Sequence, residues 1–126
     1  MLRVLIVDDD ARVRRALRSL IESAPDLTVV GEAASARSSR QLDQQLLPDV
    51  VILDLLLPHA SDGIDVLREL RRRNRPVVAV SVMPELGPEA MAAGACAFLE
   101  KDGQASDTLL NIVRAAHDHS YRPPTE

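Results

Sequence analysis

The 126-residue chain reads as a single α/β domain built around a mainly parallel, five-stranded sheet. Three observations predict that class. Short apolar runs alternate with helical patterns along the chain, as they do when crossover helices join parallel strands. The runs VVILD at 50–54 and VVAVS at 77–81 are apolar almost without interruption, which suits strands covered by helices on both faces. The length leaves room for one substantial core and not for two full domains.

Each element follows from local pattern. The first strand spans 2–7 (LRVLIV) and runs into Asp8, Asp9 and Asp10. A helix near 11–23 aligns Val13, Leu17, Leu20 and Ile21 on one stripe, with arginines elsewhere. The second strand is expected at 28–33, and a helix over 36–46 sets Leu42 and Leu46 four residues apart before Pro48 stops it. After the 50–54 strand, a third helix starts at Asp62 or Gly63 and ends at Arg73, burying Ile64, Leu67 and Leu70. Its arginines 71–73 meet the negative end of its dipole. The 77–81 strand follows, and only a short helix fits between Pro88 and Gly94. A fifth strand at 96–99 precedes a helix over 106–118, with Ser106 as cap and Leu109, Ile112, Val113 and Ala116 on one side. The last residues, 121–126, read as a tail or the start of a linker. Strands three and four should be central.

Composition narrows the function. Fifteen basic residues against nineteen acidic ones give a net charge of -4, which argues against a surface devoted to nucleic acid. Cys96 is the only cysteine, so no disulfide can form within the chain, and it reads as a core residue of a reducing compartment. The start lacks the regions of a secretory signal, and no apolar run approaches the length of a membrane span. A soluble, cytoplasmic protein is expected.

The chemistry should lie at the carboxyl ends of the strands, where open α/β sheets bind ligands. Strand one ends in Asp8, Asp9 and Asp10, strand three in Asp54, strand four in Ser81, and strand five is followed by Glu100, Lys101 and Asp102. Brought together, these ends make an acidic pocket with one hydroxyl and one ammonium, suited to Mg²⁺ and a phosphoryl group. Asp54 is the carboxylate best placed as nucleophile towards phosphorus, with Asp8 and Asp9 holding the metal. Lys101 would pair with Asp54 before transfer and with a phosphoryl oxygen after it, and Ser81 would donate its hydroxyl to that group.

On these residues the chain resembles the receiver domains of two-component response regulators over 2 to about 118, nearly its whole length. Their pattern is an acidic pair ending strand one, a phosphorylated aspartate ending strand three, a Ser or Thr ending strand four and a lysine after strand five. Asp8 and Asp9, Asp54, Ser81 and Lys101 meet it here. The stretch VVGEAASARSSRQLDQQLLPDVVILDLLLP looks most like the NarL/LuxR-type subfamily, whose receiver precedes a helix-turn-helix DNA-binding domain.

The resemblance implies a (βα)5 flavodoxin-like, CheY-like three-layer sandwich with strand order 2-1-3-4-5 and a receiver unit over residues 1–120. It implies phosphotransfer from a sensor histidine kinase to Asp54 without turnover of a separate substrate. Asp9, Asp54 and the Leu56 backbone carbonyl would hold Mg²⁺, with Asp8 acting largely through water. Ser81 would move towards the phosphoryl group while Phe98, three residues before the lysine, turns inward. A homodimer on phosphorylation is a further implication, as is contact with DNA only through a domain outside these residues. No membrane partner is implied.

Several positions depart from the pattern. The loop between Pro58 and Gly63, His-Ala-Ser-Asp, is one residue longer than usual, and Leu57 occupies the common Met position. Val82 stands where a small residue is normal, and its β-branched bulk would narrow access for a phosphodonor. The stretch from Ser81 to Gly94 is about two residues short, with Pro84 and Pro88 confining its helix. Phe98 lacks the hydroxyl of the usual Tyr. His59 reads as a solvated loop residue, and His117 and His119, two apart, do not share a helix face.

Two alternatives follow from other features. Val82 and the altered loops suit a pseudo-receiver that binds a partner without phosphorylation. The spacing of Asp8 and Asp10 suits a haloacid-dehalogenase-like phosphatase with Asp8 as nucleophile, although Arg12 stands where that pattern has Thr or Val.

Overall fold

The computed structural model describes residues 1–57, 60–101 and 106–118. The expectations for His59, Asp102, His119 and the 121–126 tail lie outside the described residues, as does the side chain of the expected cap Ser106.

Five parallel strands, β1 (Leu2–Val7), β2 (Leu27–Ala33), β3 (Val50–Asp54), β4 (Val77–Ser81) and β5 (Ala97–Glu100), form one sheet in the order β2-β1-β3-β4-β5. The helices are α1 (Ala11–Glu22), α2 (Ala36–Leu46), α3 (Ala60–Arg72), α4 (Gly87–Ala92) and α5 (Ser106–Asp118), with a 3-10 turn at Pro84–Leu86 before α4. This is the expected (βα)5 flavodoxin-like arrangement. Helix α3 begins ahead of its predicted start, and β5 is displaced one residue towards Lys101.

Strand alternation divides the core into two layers. Leu5, Val7, Val51, Leu53, Val77 and Ala79 face one side, packing with Ile64, Leu67 and Leu70 of α3 and Ala90 of α4. Val4, Ile6, Val50, Ile52, Val78 and Val80 face the other, against Ile21 of α1 and Leu109, Val113 and Ala116 of α5. Each fully buried Leu or Ile contributes about 2 kcal/mol relative to an exposed one. Cys96 is partly buried against the second layer, and burial pushes its thiol pKa up, as befits an inert packing residue. No helix among the described residues is long and apolar enough to cross a membrane.

Polar groups pin the helix ends. The Asp10 side chain accepts the Arg12 amide to cap α1, and Ser35 and Ser38 form a reciprocal capping box at α2. Arg3 donates to the carbonyls of Leu46 and Leu47 at the far end of α2. Two arginines just past the end of α3 tie it to α2. Arg73 and Arg75 pair with Asp43 of α2 at 2.9 and 2.7 Å, and the Asp43 side chain is wholly buried. A buried carboxylate needs such partners to remain charged.

Gly63 settles how closely α3 sits against the end of β3. A Cβ there would overlap the Leu55 carbonyl, so only glycine permits this approach. The contact positions the segment that follows Asp54.

Candidate functional site

Register builds the site. Strand order reverses at β1, whose neighbours β2 and β3 lie on opposite sides, and ligand crevices form at such points. Val7 pairs with Leu53, so the next residues, Asp8 and Asp54, emerge side by side. Ser81 pairs with Glu100, which sets Lys101 just beyond β5, and the Lys101 amide donates to the Ser81 carbonyl at 2.8 Å.

Asp8 and Asp54 are buried, at 1% and 4% exposure, whereas Asp9 faces solvent. Carboxylate oxygens of all three lie within 4.8 Å of one another. Asp10, adjacent in sequence, serves as the α1 cap and stands outside the cluster. Its amide donates to Asp8 Oδ1 at 2.9 Å, and the Leu56 amide donates to Asp54 Oδ1 at 3.1 Å.

Lys101 reaches into the cluster. Its Nζ lies 2.6 Å from Asp8 Oδ2 and 3.3 Å from Asp54 Oδ2. The sequence suggested Asp54 as its partner, and the structure adds Asp8 as the nearer one. Burial raises the Asp54 pKa, with the Asp8 charge adding to the rise, while the Leu56 amide and Lys101 oppose it. For Lys101, burial favours the neutral amine, but its bonds and charge contacts to Asp8 and Asp54 outweigh that and raise its pKa.

Three carboxylates against one ammonium leave negative charge uncompensated, and every side-chain donor of the cluster is a hard oxygen. That set fits a small divalent cation such as Mg²⁺.

Ser81 is wholly buried, and its Oγ accepts the Met83 amide at 3.0 Å. The hydroxyl thereby tethers the turn leading into α4. Val82 projects into solvent at 58% exposure, so its side chain is not packed into the buried cluster. Phe98 is half-buried against the first core layer, its ring over Gly87 at the start of α4; a Cβ on Gly87 would lie 3.2 Å from ring atom Cδ2. His117 is exposed on α5.

Sequence reasoning passed over Arg14, which donates to the Asp8 carbonyl at 2.7 Å. Its position one helical turn after the acidic run was the available signal. Its second partner, Glu32, was too distant in sequence to foresee.

The profile of the response regulator receiver domain family matches residues 4–114. Among curated proteins, the chain is 43% identical over 137 residues to a protein-glutamate methylesterase/protein-glutamine glutaminase of Thiobacillus denitrificans, covering 98% of this chain and 38% of that protein. It is 41% identical over 127 residues to protein-glutamate methylesterase/protein-glutamine glutaminase 1 of Dechloromonas aromatica, covering 90% of this chain and 36% of that one. The chain thus spans little more than a third of the length of these relatives.

Among solved structures, the response regulator domain of Thermotoga maritima CheB superposes with a TM-score of 0.86 at 31% identity, covering 98% of this chain and 99% of that one. A LuxR-family two-component response regulator from Aurantimonas sp. SI85-9A1 has the same TM-score of 0.86 at 29% identity, covering 96% of this chain and 88% of that one. The matched region is a receiver, a regulatory domain and not itself a catalytic one.

These matches correct the expected NarL/LuxR-type affiliation. Eight curated relatives at 34–43% identity carry the methylesterase/glutaminase name, and the backbone fits the CheB and LuxR-family receivers equally well. The physical reason lies in where the misleading stretch sits. It covers β2, α2 and β3, where burial of Val29, Val51 and Leu53 and the packing of Leu42 set the residue types. That pattern reports the scaffold and carries no information about an output domain.

Proposed function

The chain belongs to the response regulator receiver domain family, and on that premise we propose that it is a cytoplasmic phosphoryl-accepting switch whose acceptor is Asp54. The observation that carries the proposal is the buried Asp54 carboxylate, held beside Asp8 and within reach of the Lys101 ammonium. The donor is a phosphohistidine on a sensor histidine kinase. An Asp54 oxygen attacks phosphorus, the P–N bond breaks, and the histidine nitrogen recovers its proton from solvent. Residues 1–120 form the receiver unit.

Asp9, Asp54 and the Leu56 carbonyl would hold Mg²⁺, with Asp8 acting through water. A bound cation would supply charge neutralisation at the phosphoryl oxygens. Lys101 takes up a phosphoryl oxygen after transfer. The Ser81 hydroxyl turns to the same group, which releases the Met83 amide and loosens the turn before α4. Phe98, seated over Gly87, follows inward.

The names of the curated relatives support control of a protein-glutamate methylesterase/glutaminase activity as the output. Phosphorylation-linked homodimerisation is a second output, and analytical ultracentrifugation tests it: a monomer in both states removes it.

The primary test is intact-protein mass spectrometry after incubation with Mg²⁺ and acetyl phosphate. The expected result is one phosphate-sized gain in the parent and none in Asp54→Asn. A gain that survives Asp54→Asn but disappears in Asp8→Asn would restore the phosphatase-like reading. No gain with either acetyl phosphate or a phosphorylated histidine kinase domain would favour the pseudo-receiver.

A further inference from the structure

Asp8 is held through its backbone carbonyl as well as through its carboxylate. The Asp10 amide takes Oδ1 and Lys101 takes Oδ2, while its backbone carbonyl accepts Arg14 Nη1 at 2.7 Å. Arg14 lies on α1, one turn past the acidic run, and reaches back towards β1. From the same guanidinium, Nε donates to Glu32 Oε1 at 3.2 Å. Glu32, near the end of β2, pairs with Ile6 in the sheet register, and its other oxygen accepts Arg18 Nε at 2.6 Å. The Arg18 bond, with the charges of both arginines, holds the Glu32 carboxyl below the usual range against the opposing effect of burial.

The carbonyl that Arg14 grips belongs to the peptide joining Asp8 to Asp9. That peptide plane sets how the buried carboxylate of Asp8 and the exposed carboxylate of Asp9 are disposed towards each other. We infer that Arg14 is a positioning residue of the cation site. With Glu32 as its outer anchor, it fixes the Asp8–Asp9 peptide so that the two carboxylates converge with Asp54 before any cation arrives. The inference rests on the cation-binding part of the proposed function. The role needs the planar fork of arginine, whose separate nitrogens serve Asp8 and Glu32 together, and a lysine presents only a single point of donation. Groups outside the ligand set that orient the ligands commonly change metal affinity tenfold or more when removed.

The charge of Arg14 makes the sign of the effect diagnostic. Removing a cation close to a cation site strengthens metal binding if only the field matters, whereas loss of the clasp weakens it. The test is an Mg²⁺ titration of the ¹⁵N-labelled chain, followed at the amides of Asp9, Asp54 and Leu56. Arg14→Met, Arg14→Lys and Arg18→Met are compared with the parent, with melting in EDTA to confirm that each is folded. Arg14→Met is expected to raise the Mg²⁺ Kd about tenfold. Arg14→Lys should raise it by a smaller factor, and Arg18→Met should stay within about twofold, since Arg18 touches Glu32 and not Asp8. If either Arg14 variant binds Mg²⁺ as tightly as the parent, the positioning role is overturned. If the parent itself shows no Mg²⁺-dependent shifts, the failure lies with the cation site.

Discussion

The Lys101 ammonium stands closer to Asp8 than to Asp54, 2.6 Å against 3.3 Å, and so bridges the two buried carboxylates of the cluster. It occupies the electrostatic role that a divalent cation bound at the cluster would take. Lysine and cation would therefore compete for the same negative charge.

Lys101→Met should consequently have opposite effects with and without metal. In EDTA it leaves two buried carboxylates without their ammonium, and urea unfolding should report a loss of about 2 kcal/mol. In a metal titration it should bind Mg²⁺ about threefold more tightly, because the competing charge is gone. The pH dependence has a defined sign. Lys101 titrates higher in the folded chain than its ordinary 10.5, so its stabilisation is fully present below that value and is lost as the pH rises through the folded value.

Asp54→Asn should stabilise the metal-free protein at neutral pH. The Asp54 pKa is raised above its ordinary 3.8, chiefly by burial, so folding favours the neutral form and the ionised form carries a cost. That cost is absent below the ordinary value and grows as the pH rises through the folded one. Melting in EDTA should show Asp54→Asn higher in Tm by roughly 2–5 °C at pH 7, with the gap closing as the pH falls towards 4.

Val82→Ala should leave stability almost unchanged, since the side chain is more than half exposed. Acetyl phosphate labelling of Asp54 should become faster by about two- to fivefold as the rim opens. An unchanged labelling rate would show that the β-branched side chain does not restrict the donor.

Gly63→Ala should be among the most damaging single substitutions, because its Cβ would collide with the Leu55 backbone and not with a movable side chain. A loss of about 3 kcal/mol in urea unfolding is expected. Any folded fraction should bind Mg²⁺ more weakly, since displacing Leu55 also moves Leu56, whose amide holds Asp54.

By itself, the sequence determined the α/β class and nearly every element of the fold. Apolar runs and helical periods are local properties, and Pro48 and Gly94 punctuate them at the right places. It also marked Asp8, Asp9, Asp54, Ser81 and Lys101, because each follows or ends a strand and parallel strands bring their carboxyl ends to one edge. It did not reveal the likeness to methylesterase-type receivers, since the residues of β2, α2 and β3 answer to burial. Only the tertiary structure decided which polar groups meet. Lys101 favours Asp8 across a separation of 93 residues, Arg14 joins Asp8 to Glu32, and Asp43 gathers Arg73 and Arg75 from another helix end. Such partners are selected by strand order, register and the seating of helices on the sheet, and the short-range pattern of a chain carries no record of those distances.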